Sequence, residues 1–271
     1  VSILEIFSHK NWLLLKAMVS SDFKLRYKQS MLGYLWSVLK PLMLFGVMYV
    51  VFIHFLRFGD SVPHFSVGLL LGIVMWNFFS ETTSGGLNAV VGHGDLLRKI
   101  KFSKYIVVVS AATSALINLG ISFVVVMLFA LANGVHFTWS ALLIIPIFIE
   151  LFFLALGVAF FLGAAYVYFR DLSPIWEVVM QAGFYATPII YPVSLVVTNA
   201  GEFIARLQLL LNPAAQIVQD ARHVLIAPEN VTVWENWPPY IAVIPVILSF
   251  LIFLGGLKFY TAKSKSFAEL V

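Results

Sequence analysis

Between Leu35 and Phe259 the chain repeatedly runs for about twenty residues or more with scarcely a charge, and runs of that length cross a bilayer as helices. They cover Leu35–Phe58, Phe65–Val91, Tyr105–Ala132, Ala141–Phe169, Ile175–Val197 and Tyr240–Phe259; Pro188 and Pro192 interrupt the fifth. Hydrocarbon offers no partner for a backbone N–H or C=O, so such runs must pair their polar groups internally. The expected fold is therefore an all-α integral membrane protein, a single transmembrane domain over 1–271 with six transmembrane helices. Composition agrees, since 61% hydrophobic and only 11% charged residues exclude an ordinary soluble domain.

Charge orients the spans. Of the seventeen Lys and Arg residues, only Arg57, Arg206 and Arg222 fall on the side opposite the termini. The positive-inside rule then puts both termini in the cytoplasm. The net charge of +4 reports these cytoplasmic segments and not a nucleic-acid partner. No cleavable leader is expected, because the apolar stretch Trp12–Val19 is short and Lys16 interrupts it.

The segments between spans are informative. Residues 1–34 read as a cytoplasmic interfacial segment, with Trp12, Leu15, Val19 and Phe23 at helical spacing to dip into the acyl boundary. Lys24, Arg26 and Lys28 follow among Phe23, Leu25 and Tyr27, and Gly33 is a natural elbow into the first span. In the loop 92–104, Asp95 can cap a short helix in which Leu96, Leu97 and Ile100 form an apolar face beside Arg98 and Lys99. A partly apolar helix too short to span is suited to a partner's groove, although a basic loop also simply sets topology. Residues 198–239 form an outer, gate-like loop. Phe203, Leu207, Leu210 and Leu211, then Ile217, Val218, Ala221, Val224 and Leu225 after Asn212-Pro213, predict two short amphipathic outer helices between the last two spans. Trp234, Trp237 and Tyr240 mark the outer interface.

Several chemistries are excluded. The chain has no cysteine, and its six histidines show no metal-ligand spacing. No Gly-x-x-x-x-Gly-Lys-Ser/Thr loop is present, so the chain does not bind ATP in that way itself. Glu81, Glu150 and Glu177 lie in or beside spans, where a carboxylate faces protein, water or a partner; Glu150 reads equally as a proton relay or a polar helix contact. Trp36, Trp76, Phe79, Tyr185 and Tyr191 recur near span ends or kinks and suit either a sugar-stacking path or an ordinary aromatic belt. Gly68-x-x-x-Gly72 and Ala159-x-x-x-Gly163 read as helix-packing contacts. Arg170-Asp171 closes the fourth span and can fix a tight turn. Three function classes stay open: a permease driven by a separate ATPase, an ion-gradient secondary transporter working through Glu150, and a membrane transferase acting on lipid-linked sugars. The outer carboxylates Glu202, Asp220, Glu229 and Glu235 are too dispersed to favour the last.

Ordered motifs narrow this. Arg26-Tyr27, Leu32-Gly33-Tyr34-Leu35-Trp36, Pro41-Leu42, Leu96-Leu97-Arg98-Lys99 with Phe102, Phe169-Arg170-Asp171, Thr187-Pro188-Ile189-Ile190-Tyr191, Asn212-Pro213 and Arg222 run through most of the chain. In this order they resemble the permease subunits of ABC transporters that export polysaccharides and polyol-phosphate polymers such as O-antigen, capsule and teichoic acid. Ser103 stands where that family usually has Pro. The resemblance implies a homodimer in the cytoplasmic membrane of a bacterium, with both termini cytoplasmic and an ABC ATPase subunit as partner. ATP and Mg would be bound by that partner, with no cofactor in this chain. The cargo implied is a lipid-linked glycan or polyol-phosphate polymer, on a path between protomers lined by the first and fifth spans. Asp95, Leu96, Leu97, Arg98, Lys99, Ile100 and Phe102, with Arg170 and Asp171, would couple to the ATPase. Arg26, Lys28 and Lys40 are the candidates for receiving the lipid diphosphate.

Overall fold

The computed structural model describes residues 9–27, 33–57, 62–100 and 102–270, and among these every regular element is helical. Helix α1 covers His9–Tyr27, and Gly33 then opens a short 3-10 turn with φ of 48°. This left-handed angle is what the expected elbow requires of a residue without Cβ. Helix α2, Trp36–Met48, continues as a π-helical stretch over Tyr49–Phe55. There follow α3 (Phe65–Gly92), α4 (Gly94–Lys99), α5 (Tyr105–Ala132) and α6 (Ile144–Tyr168). The second half holds α7 (Leu172–Ala186), α8 (Val193–Ala200), α9 (Glu202–Leu211) and α10 (Pro213–Leu225). Short α11 (Val233–Asn236) and α12 (Pro239–Ala242) lead to α13 (Ile244–Lys263) and a final turn, α14 (Phe267–Leu270).

Among the described residues, five helical stretches are long and apolar enough to cross a membrane: Val38–Phe55, Phe65–Gly92, Tyr105–Ala132, Trp139–Tyr168 and Pro239–Ser266. The run Ile175–Val197 is not one helix. Thr187 is extended, as the residue before a proline prefers, and backbone helicity stops until Val193. This leaves α7 with 15 residues, about 22 Å at 1.5 Å per residue, short of the roughly 30 Å of a hydrocarbon core.

Helix α3 is the axis of the bundle. It packs on α5 and on α6, and α6 packs on α13. Of its spanning window 78% is buried, against 11% for the first span. Glycines set the closest approaches. A Cβ at Gly86 would lie 2.5 Å from Cβ of Ala159, and one at Gly163 would lie 2.6 Å from the Gly86 carbonyl oxygen. On the other side of α6, a Cβ at Gly157 would meet the Phe253 backbone at 2.4 Å. The expected packing role of Ala159-x-x-x-Gly163 is thus seen directly, at the α3–α6 seam.

Two apolar clusters fill the bundle, one toward each end. The first gathers Leu69, Ile73, Phe78, Leu151 and Ile217; the second gathers Leu97, Ile106, Phe160, Tyr260 and Phe267. Helix α1 lies along α5 and buries Leu15 and Met18 in the second cluster, leaving Trp12 and Leu13 exposed. Leu15 and Val19 therefore face protein and Trp12 turns outward, while the side chain of Phe23 lies outside the described residues.

Candidate functional site

The loop after α3 is built into the protein and also projects from it. Leu97 is buried against the second cluster, Leu96 and Phe102 are half-buried, and Ile100 is 45% exposed. The expected apolar triplet is therefore divided: Leu97 anchors α4, and Ile100 looks outward with Asp95, Arg98 and Lys99. A 3.3 Å ion pair joins Arg98 Nη2 to Asp95 Oδ1 on that exposed face.

What holds the loop is the C-terminal segment, whose residues carry no local signal for that position. Phe267 is fully buried, its ring edge-on to Tyr260 at 5.1 Å, and α14 packs on α4. The Tyr260 hydroxyl donates to the Lys104 carbonyl at 2.8 Å, while Lys104 Nζ donates to the Ser264 carbonyl and lies 5.9 Å from the Phe267 ring centre. Tyr105 and Thr261 hydroxyls are 3.0 Å apart, and those of Tyr168 and Ser266 are 2.7 Å apart. This basic end of the bundle is thus cross-tied between α4, the start of α5, the end of α6 and the last residues.

Arg170 and Asp171 are exposed at the same end. No ion pair joins them. Arg170 lies over the Tyr166 ring at 5.3 Å, one helical turn earlier, and the turn is made by backbone bonds such as Leu172 N–H to the Phe169 carbonyl at 3.3 Å. Of the diphosphate candidates, Lys28 lies outside the described residues, and the side chain of Arg26 lies outside them too, although its backbone belongs to α1. Lys40 is exposed on α2 at the mouth of a cavity of about 670 Å³ between α2, α3 and α5. Trp36, Asn77, Glu81, Ser84 and Asn118 are among its walls. Asn118 Nδ2 donates to Glu81 Oε1 at 2.8 Å across the α3–α5 seam.

At the opposite end, Arg222 is 1% exposed and donates four hydrogen bonds. Its Nε reaches the Gly68 carbonyl at 3.0 Å, Nη1 the Pro188 carbonyl at 2.7 Å and Gln219 Oε1 at 3.0 Å, and Nη2 the Ile189 carbonyl at 2.6 Å. The carbonyls freed where α7 breaks are thereby paired, which is how buried backbone is tolerated outside a helix. Gly68 and Gly72 make room for this guanidinium, for Ile189 and for Val218, so that Gly-x-x-x-Gly pair lets α3 pack against the arginine-bearing face of α10.

Helix α10 starts as its sequence demands, with Asn212 Oδ1 accepting from Ala215 N–H at 3.2 Å and Pro213 in the first turn. It is buried on its polar side as well as its apolar one, with Gln216, Gln219, Asp220 and Arg222 all inside. Gln216 Nε2 and Trp234 Nε1 donate to Asp220 Oδ2 at 2.7 and 2.9 Å. Glu150 accepts from Ser249 Oγ at 3.1 Å between α6 and α13.

The aromatic residues do not form one lining within the chain. Trp76 and Phe79 are buried 5.6 Å apart, with Phe184 of α7 packed edge-on to Trp76. Trp36 borders the cavity, Tyr185 is exposed, and the Tyr191 hydroxyl donates to the Tyr185 carbonyl at 3.0 Å while accepting from Gln208.

The family description "ABC-2 type transporter" matches residues 13–212. The O-antigen export system permease protein RfbA of Myxococcus xanthus is 31% identical over 215 residues, covering 79% of this chain and 80% of that protein. A protein of the same name from Klebsiella pneumoniae is 24% identical over 259 residues, 95% of each chain. A second from Klebsiella pneumoniae is 28% identical over 179 residues, 66% of this chain and 68% of its own length.

Proposed function

The chain belongs to the ABC-2 type transporter family, and from that premise we propose that it is the membrane permease subunit of an ATP-driven exporter of lipid-linked polysaccharide. The observation that carries this reading is likeness to O-antigen export permeases along most of the chain, from relatives of nearly its own length. The chain itself is not the ATPase, having no phosphate-binding loop. A separate subunit binds ATP and Mg, and the face of α4 bearing Asp95, Arg98, Lys99 and Ile100 is its docking point, with Arg170 and Asp171 beside it. Support comes from an exposed apolar side chain among charges on a helix whose other side is anchored.

Orientation follows from charge, with the basic end cytoplasmic and α9 and α10 at the outer face. The segment α7 to Tyr191 is the sixth crossing, its broken end lodged against α10. Two copies of the chain associate through the poorly buried faces of α2 and α7, and the polymer passes between them past Trp36, Tyr185 and Tyr191. Trp76 and Phe79 stiffen the wall behind. Arg26, Lys28 and Lys40 receive the lipid diphosphate at the inner interface, where Arg offers a planar fork and Lys a compact charge.

Depletion of the protein in its host tests this. The expected result is accumulation of lipid-linked polymer on the cytoplasmic side, identified chemically, with loss of surface polymer. Normal surface polymer after depletion would overturn the reading.

A further inference from the structure

We propose that the segment 264–270 is a second docking element for the ATPase subunit, with Leu270 as its apolar anchor next to the exposed face of α4. This rests on the export reading above and adds, to the loop after α3, a contact that reaches α13 directly.

The hold on this segment is the first argument. A helix of four residues has no stability of its own, so α14 forms because of what it packs on. Phe267 is fully buried against Tyr260, and the Ser266 hydroxyl is tied to that of Tyr168 at the end of α6. Lys104 Nζ donates to the Ser264 carbonyl and, at 3.5 Å, to that of Lys265. Leu270 is thus presented from a fixed support, and a partner that binds it has little left to order.

What is left outside is the second. Leu97 and Phe267 are the buried anchors of α4 and α14, and three residues on from each stands an exposed apolar side chain, Ile100 at 45% and Leu270 at 48%. Helix α14 packs on α4, so the two side chains belong to adjoining elements of one surface. The exposed Arg98, Lys99, Arg170 and Lys265 stand at the same end, with Asp95 and Asp171 among them. One exposed leucine needs no explanation, but apolar anchors set in a charged rim are the anatomy of a protein interface. A rim that is mostly basic calls for a partner surface that is mostly acidic. The occupant is the ATPase subunit already proposed for α4, because the two elements are continuous.

Transmission is the third. The Tyr260 hydroxyl donates to the Lys104 carbonyl at 2.8 Å and the Tyr105 and Thr261 hydroxyls are 3.0 Å apart, so the end of α13 is bridged to the start of α5 just before the segment begins. Helix α13 in turn rests backbone to backbone on α6, where a Cβ at Gly256 would lie 2.0 Å from the Gly157 carbonyl oxygen. A push on α4 enters the bundle through the loop between α3 and α5. A push on 264–270 enters through α13 and reaches α5 and α6 with it.

The test uses the full-length permease reconstituted with its ATPase subunit in nanodiscs. The chain has no cysteine, so Ile100→Cys, Leu270→Cys and Trp139→Cys can each carry a single benzophenone maleimide as photo-crosslinker. Trp139 is 89% exposed before the start of α6, at the opposite end of the bundle, and serves as control. Labels at positions 100 and 270 should cross-link to the ATPase, and the label at position 139 should not. Leu270→Asp should lower affinity for the ATPase about tenfold with the melting temperature unchanged, as expected of an exposed anchor. Cross-linking from position 100 but not from 270 overturns the proposal and leaves α4 as the docking point. Capture of lipid alone or of a second permease copy from position 270 does the same, as does unchanged affinity in Leu270→Asp. Cross-linking of the ATPase from position 139 in place of both others removes the proposal and the orientation on which the export reading relies.

Discussion

A methyl group added at Gly72 would lie 3.0 Å from Nη2 of Arg222, so the two residues occupy one space and neither can grow without moving the other. Gly72→Ala gains helix propensity, worth up to about 1 kcal/mol, but overpacks a fully buried cation, which costs about 1–3 kcal/mol. The net expectation is a lower melting temperature for the detergent-purified protein. Gly120→Ala serves as control, since nothing lies within 4 Å of its added Cβ, and should leave the melting temperature unchanged or raised.

Arg222→Ala should be far more severe. It orphans the Pro188 and Ile189 carbonyls together, each at a cost of about 1–3 kcal/mol when buried, and removes the second donor to the helical Gly68 carbonyl. Arg222→Lys should recover only part, because an ammonium cannot reach three carbonyls from one planar fork. Proteolysis of the 187–192 stretch is a direct measurement; equal protection in all three proteins would contradict the account.

The division of α4 separates two phenotypes. Ile100→Ala should lower affinity for the ATPase subunit by about 1–3 kcal/mol while leaving thermal stability alone. Leu97→Ala should do the reverse in origin, lowering stability by about 2–5 kcal/mol and affecting coupling only through the displaced helix. Melting curves set beside co-purification distinguish them, and identical behaviour of the two variants would refute the division.

The tail carries an analogous expectation. Phe267→Ala removes a buried ring that touches Tyr260 and Lys104, at a cost of about 3–5 kcal/mol if the end stays closed. Hydrogen exchange at residues 94–104 should rise in this variant with little change in α6 or α13. Unaltered exchange in the loop would show that α4 holds its position unaided.

Acidity bears on α10. Burial pushes the Asp220 carboxyl above its usual range, with the Gln216 and Trp234 hydrogen bonds pulling the other way. A carboxyl raised on folding contributes stability that is full below its unfolded value, near ~3.9, and lost as pH rises through the folded one. Asp220→Asn should therefore flatten the decline in melting temperature from acid toward neutral pH. A wild-type pH profile in the variant would locate that titration elsewhere.

Much of this architecture is legible in the residues. Long apolar runs located the helices from α3 to α6 and α13 within a few residues, because in lipid a helix is almost the only way to pair the backbone. Pro188 and Pro192 flagged the weakness in the fifth run, and the break falls there. Periodicity finds the apolar face of α10, Ile217, Val218, Ala221 and Leu225, but not the burial of its polar stripe of Gln216, Gln219, Asp220 and Arg222, because the partners that bury it are distant in sequence. The same blindness hid the tail: nothing near Phe267 announces that its ring belongs beside Lys104. At the candidate site, Lys40 and Glu81 were each conspicuous alone, but only the packing of α2 on α3 and α5 sets them around one hollow.

The glycine contacts at Gly86, Gly157 and Gly163 have a mechanical corollary. Where backbone rests on backbone there is no side chain to change rotamer and absorb a slide, so α3, α6 and α13 translate and tilt as one solid piece. The first span and α7, bordered mostly by their own exposed side chains, have no such weld. On the proposed export function, a widening that lets a polymer through would be borne by these two, and spin labels on α6 and α13 would report a constant separation while a pair on α2 and α7 changed with every cycle of ATP hydrolysis.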